Sequence, residues 1–269
     1  FKYSVKANLD TYKNTLIKYG ADEISGVNIR REGLPWNTYY VLIQDGVYQT
    51  QEEIDGEKFN GKPVERKYAG TITIKPGDIR YKDISGPDGV PDGVIDANYD
   101  RAPVSGSFPK FGYGFNINLS YKIFDLSCFF QGIQGKKLYV SSWGISPFNQ
   151  ASPPPVFWRD AWDGEGTSNY IPHIYMDGYG PMQAGNSSFF LRDASYLRMK
   201  SLQFGINLPE KIANKMYIKN ARFFFSGDNL LTFTKFFDGQ IDPERTGQGS
   251  SDALYPQAKI YTVGLRVMF

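Results

Sequence analysis

The sequence predicts an all-β chain, an antiparallel transmembrane β-barrel wall, and three observations predict it. The first is alternation. Large apolar side chains stand at Tyr261, Val263, Leu265, Val267 and Phe269, with Thr262, Gly264, Arg266 and Met268 between them. Successive strand side chains point to opposite faces, so this segment has one apolar and one mixed face. Its length approaches the ~9–11 residues a tilted strand needs to cross a bilayer. The second is composition: 20 Phe, 19 Tyr, 4 Trp and 28 Gly in 269 residues, yet no run near the ~18 apolar residues of a membrane helix. A barrel strand alternates, so a polar average is compatible with it. The third is that alternating segments are separated by connections longer than compact domains use. Outer-membrane barrels combine long loops on one side with short turns on the other.

The elements follow in order. Phe1, Tyr3, Val5, Ala7 and Leu9 alternate with Lys2, Ser4, Lys6 and Asn8, a period-2 strand. Because this pattern is already running at Phe1, a longer protein with its amino terminus elsewhere is expected. Residues 27–50, with Gly33, Pro35 and Gly46, read as extended chain broken by turns, and residues 51–75 as an exposed polar loop. The clearest hairpin follows. Phe111, Tyr113, Phe115, Ile117, Leu119 and Tyr121 form one face against Gly112, Gly114, Asn116, Asn118 and Ser120. After a turn at Lys122-Ile123, Phe124, Leu126, Cys128 and Phe130 alternate with Asp125, Ser127, Phe129 and Gln131. In a soluble sandwich the apolar face would meet a second sheet; in a barrel it would meet lipid, with the Gly/Asn/Ser face lining a wet interior. The nearly uncharged small-polar face favours the barrel.

Residues 133–190 form a long connection containing Pro153-Pro154-Pro155. Leu202, Phe204, Ile206 and Leu208 then share one face, with Leu197 and Met199 in the opposite phase, so a bulge is expected near Lys200-Ser201. Pro209 to Asn220 is a short connection, Ala221, Phe223, Phe225 and Gly227 open another strand, and a loop over 238–257 leads into the final one. Eight to ten strands, no long helix and no fixed-period repeat are expected. The long loops, about 51–110, 133–190 and 238–257, are the expected extracellular ones.

A net charge of +2 argues for neither nucleic acid nor an anionic surface. With one cysteine, Cys128, no intrachain disulfide forms, and the lone His173 builds no histidine metal cluster. Cys128 falls on an apolar strand face, Arg266, Lys2 and Lys6 on the lumen side, and Tyr121, Tyr261 and Phe269 at girdle positions. There is no Gly-x-Ser-x-Gly elbow, phosphate-binding glycine loop or zinc signature, so no enzyme is expected.

Two sets of loop residues carry candidate chemistry. Asp83, Asp88, Asp92, Asp96 and Asp100 lie close together with Gly86, Gly89 and Gly93, and hard cations such as Ca2+ take several carboxylate and carbonyl oxygens on a flexible turn. The spacing departs from a calcium loop: Val90 stands where an oxygen is expected and no Glu closes it. The bland alternative is an exposed turn using Asp and Gly for their backbone geometry. Trp143, Trp158, Trp162, Tyr170 and Tyr175 could stack on sugar rings or peptide side chains, or pack a loop or partner surface.

An ordered series of motifs adds to this reading. Pro76-Gly77-Asp78-Ile79-Arg80-Tyr81-Lys82-Asp83 leads into Asp92-Gly93-Val94-Ile95-Asp96 and Asp100-Arg101. Then come Pro109-Lys110-Phe111, Tyr113-Gly114-Phe115-Asn116, Asp125-Leu126-Ser127, Phe129-Phe130-Gln131-Gly132, and Asp193 through Lys200. Gly227, Asn229 through Thr234, Asp242-Pro243-Glu244, Tyr255-Pro256 and the terminal strand complete it. The series resembles the carboxy-terminal part of the SusC/RagA family of TonB-dependent outer-membrane transporters, over most of 76–269 and more weakly over 1–50. No single motif is specific; their order is. The resemblance implies a 22-stranded barrel plugged by an amino-terminal domain absent from this chain. It also implies a SusD-like surface lipoprotein over the mouth, energy from the TonB complex through the plug, and import of an oligosaccharide or oligopeptide across the outer membrane. Two rivals stay open: a small passive outer-membrane barrel, and a secreted glycan-binding β-sandwich assisted by calcium.

Overall fold

The computed structural model describes residues 1–141, 145, 147–148, 153–176, 186–244 and 257–269. Its frame is one sheet of six long strands: β1 (Lys2–Thr11), β2 (Phe111–Tyr121), β3 (Phe124–Gln134), β4 (Tyr196–Asn207), β5 (Asn220–Thr234) and β6 (Ile260–Met268). Each pairs antiparallel with the next in sequence, a simple meander. Eighteen strands are present among the described residues, more than the eight to ten expected, because the connections carry many strands of two to five residues.

Register matches apolar to apolar across the whole sheet. Tyr3, Leu119, Leu126, Phe204, Phe225 and Val263 form one continuous row, and Val5, Ile117, Cys128, Leu202, Gly227 and Tyr261 the next. On the opposite face Ser4, Asn118, Ser127, Gln203, Ser226 and Thr262 align. A one-residue slip would exchange the faces, so the patterning specifies the register. Among the described residues no second layer covers the apolar rows: Leu265 is 67% exposed and Phe204 38%. Phe115 and Leu126 are half-buried by their neighbours in the sheet. No helix is long and apolar enough to cross a membrane, which says nothing of strands.

The expected bulge is present. Register shifts between Met199 and Ser201, where Lys200 has no partner, and β5 answers with two extra residues between Asp228 and Leu231. One of them, Asn229, takes φ 54°. The bulge lets Leu197 and Met199 stay on the same face as Leu202 and Phe204 despite their opposite phase.

The connections are sorted by end. At one end β2 and β3 join through Lys122-Ile123, with Lys122 at φ 52°. β4 and β5 join there through 208–219, which holds a short helix, α2 (Glu210–Lys215), that the sequence reading missed. At the other end lie 12–110 and the described residues of 135–195 and 235–259. These long segments carry the hydrophobic core. Leu42, Tyr48, Ile79, Tyr81, Phe157, Trp158, Phe189, Phe190, Phe236 and Phe237 pack into one buried cluster drawn from all three. Residues 51–75 are largely exposed, as expected of a polar loop, but they are anchored by a few buried side chains and a short helix. Thr50 caps helix α1 (Gln51–Gly56) through the Glu53 N–H, and Ile54, Tyr68, Ala69 and Ile74 are buried in the cluster. Residues 27–50 are extended chain broken by turns, as expected, and one of these strands, Thr38–Leu42, is buried and paired with Arg101–Val104.

Candidate functional site

The cap of packed loops and the inner face of the wall carry the polar chemistry. The five loop aromatics play different parts. Trp158 is core: it is 1% exposed, donates from Nε1 to the Ile145 carbonyl at 2.7 Å, and packs on Phe157 and Phe189. It is therefore closed to a ligand, a correction to its candidacy. Trp162 and Tyr175 meet around His173, edge-on to both rings. Gly77 organises them. Its φ is 93°, and a Cβ there would lie 2.6 Å from the Trp162 ring and from His173 Cβ, so only glycine fits. The next residue, Asp78, accepts the Tyr175 hydroxyl at 2.6 Å and the Lys75 N–H at 2.9 Å. Burial pushes the Asp78 carboxyl up, against the lowering effect of those hydrogen bonds. Tyr170 is 48% exposed, and its hydroxyl accepts from Arg192 Nη1 at 2.6 Å. Trp143 lies outside the described residues.

The acidic loop is assembled, but its carboxylates face inward on the backbone. Asp100 is buried and accepts the N–H groups of Ile84, Ser85 and Asp96 at 2.6, 3.1 and 2.8 Å. Asp83 accepts from Gly93, Asp92 from Val94, and Asp96 from Asn98 and Tyr99. Asp88 is exposed. The bonds of Asp92 and Asp96 are local turns of the Asx kind, whereas those of Asp83 and Asp100 tie together parts of the loop four to sixteen residues apart. Among the described residues no group of three or more His, Cys, Asp or Glu side chains is arranged to hold a metal.

Asp193–Lys200 and Asp242-Pro243-Glu244, two members of the ordered motif series with no role evident from sequence, come together in the structure. Arg198, on the inner face of β4 and 2% exposed, lies 2.7 Å from Asp242 Oδ1 and 2.5 Å from Glu244 Oε2. Lys200, freed by the bulge, reaches Glu244 at 2.8 Å, and the Tyr196 hydroxyl donates to the same carboxylate at 2.6 Å. Asp242 also accepts the Glu244 and Gln257 N–H groups at 2.9 and 2.8 Å. Asp242 and Glu244, in the β5–β6 connection, are thus held against the inner wall. The usable sequence signal was a pair of cations at lumen-facing positions where small polar residues otherwise prevail. Lower on the same face Arg222 pairs with Asp125 across Gly205, whose missing Cβ leaves room for the guanidinium.

An antiparallel wall with one bare apolar face, a polar inner face and its long loops folded into a cap at one end defines a class: a transmembrane β-barrel. No family model matches the chain. Across its full length it is 28% identical to TonB-dependent receptor P3 and 31% identical to TonB-dependent receptor P26, both of Formosa agariphila (strain DSM 15362 / KCTC 12365 / LMG 23005 / KMM 3901 / M-2Alg 35-1). It spans 27% of the length of each of these relatives. The fold superposes on the RagAB peptide transporter with a TM-score of 0.67 at 20% identity, over 99% of this chain and 27% of that one. On the RagAB peptide importer in its closed-closed state the TM-score is 0.62 at 20% identity, over 99% of this chain and 27% of that one. The chain is thus similar along its whole length to part of two TonB-dependent receptors and shares its fold with part of the RagAB transporter; these relatives are receptors and transporters, not enzymes.

Proposed function

We propose that this chain forms part of an outer-membrane importer that takes up an oligomeric nutrient, glycan or peptide, with energy from the TonB complex. A SusD-like lipoprotein would cover the mouth. The observation carrying the reading is the apolar face running unbroken over six strands, with every long connection gathered at one end. Lipid covers such a face where no protein layer does. The packed cap is a built surface for a lipoprotein partner and the incoming solute.

The test is uptake by cells expressing the natural gene product, using fluorescent oligosaccharides and oligopeptides, with and without a functional TonB complex. Accumulation that stops when the complex is disabled is expected. Undiminished accumulation without it would replace the importer by a passive pore.

A further inference from the structure

Arg192 stands in the cap in a cage of rings: its Cζ lies 4.6 Å from the centroid of Phe189, 4.8 Å from Tyr170, 5.3 Å from Phe237 and 5.9 Å from Phe157. Nη1 donates to the Tyr170 hydroxyl at 2.6 Å. Nε is buried and has no hydrogen-bond partner, and no carboxylate of a described residue comes within ion-pair distance. Arg66, Arg198 and Arg222, by contrast, each meet a carboxylate of this chain. Asp193, adjacent in sequence, directs Oδ1 to the N–H and hydroxyl of Ser195 at 2.9 and 2.6 Å. Burial lowers the Arg192 pKa, the mark of a cation separated from water, although Tyr170 and the more distant Asp238 act in the other direction.

The guanidinium lines a cavity of about 320 Å³ together with Tyr170, Phe157, Phe237 and Asp193, whose Oδ1 is engaged by Ser195, with exposed Lys235 and Asp238 at the rim. Two consecutive non-glycine residues there, Phe237 and Asp238, hold left-handed backbone at φ 44° and 53°. Such conformations persist where surrounding packing imposes them, and they cluster at ligand clamps. Here the strained pair keeps the buried Phe237 ring against Arg192.

We propose that this cavity is a carboxylate-binding subsite, in which the Arg192 fork takes a carboxylate of the solute while Tyr170 offers an exposed ring face to the rest of it. A guanidinium held planar and short of partners matches a carboxylate in two parallel hydrogen bonds. The carboxylate belongs either to a uronic acid unit of an oligosaccharide or to an acidic oligopeptide; the chemistry recognised is the same. The biological meaning of the subsite rests on the import reading, but binding does not.

The test is calorimetric titration of the purified natural gene product in detergent with tri-galacturonate and with tri-glutamate, each against its carboxyl-blocked methyl ester. At least one free acid binds, its ester does not, and Arg192→Met weakens that binding by ~10-fold or more, Arg192→Lys by less. Which acid binds identifies the source. The unfolding temperature of Arg192→Met is expected to be unchanged or higher, because an unpaired desolvated cation is removed. Failure of both acids to bind the wild-type protein overturns the proposal, as does equal binding by Arg192→Met. A lower unfolding temperature for Arg192→Met with esters bound as well as acids assigns Arg192 a structural role instead. TonB-dependent uptake is not measured, so failure here leaves the import reading standing.

Discussion

Arg198 on a wall strand and Asp242 in the β5–β6 connection meet at 2.7 Å, both almost wholly buried. A cation on the inner wall and an anion on a loop thereby define where that loop lies. Breaking a buried pair by removing one partner costs about 3–5 kcal/mol, because the other charge stays buried. Arg198→Ala is therefore expected to lower unfolding free energy by that order and to open residues 235–244 to amide exchange. Exchange unaltered from the wild type would show that the loop is held by other means.

The same cluster gives a pH dependence. Burial alone would raise the Asp242 carboxyl, but Arg198 and the Gln257 and Glu244 N–H groups outweigh it and hold it below the ordinary carboxylate range. A depressed folded value means that the stabilisation is fully present above the unfolded pKa of ~3.9 and is lost as pH falls through the lower folded value. Glu244, Lys200 and Tyr196 face the same cluster. Protease protection of the loop should persist at about pH 5 and fail only in stronger acid. Loss of protection already at neutral pH would contradict the assignment.

Gly77→Ala is expected to disrupt the Trp162, His173 and Tyr175 group. The new methyl would overlap the Trp162 ring and His173 Cβ, and alanine at φ 93° is strained. A destabilisation of about 2–4 kcal/mol is expected, with a shifted tryptophan emission. An unshifted spectrum at wild-type stability would mean that the loop has room the structure does not show.

The two faces of the wall should respond oppositely to charge. Leu126→Arg on the apolar row is expected to cost about 2–4 kcal/mol in bilayer vesicles if it sits near the midplane. Ser226→Arg on the inner row should cost little. Equal costs at the two positions would remove the basis for placing lipid on the Leu126 side.

The acidic loop is closed by its own backbone N–H groups, so chelation of divalent cations should leave the unfolding temperature unchanged. A drop of several degrees on chelation, reversed by calcium, would instead make Asp83, Asp92, Asp96 and Asp100 ion ligands.

Much of the wall was legible because lipid and lumen impose a period of two. Thus the 111–131 hairpin, the bulge at Lys200, and the lumen side for Lys2, Lys6 and Arg266 could all be read from alternation. The cap was not legible. Its strands are short and its buried residues follow no single period, so Ile54 and Tyr68 looked like parts of a polar loop, and Trp158 resembled a ligand-binding ring as much as a core residue. Helix α2 has only six residues, too few to display a helical repeat.

Alternation alone thus determined which side chains face outward, since strand geometry leaves no other choice once register is set. Only the tertiary structure decided which charges meet. Arg198 and Asp242 are 44 residues apart, and Arg192 and Tyr170 come together across 22. Contacts of that range depend on how three long connections fold onto one another, and no local period encodes it.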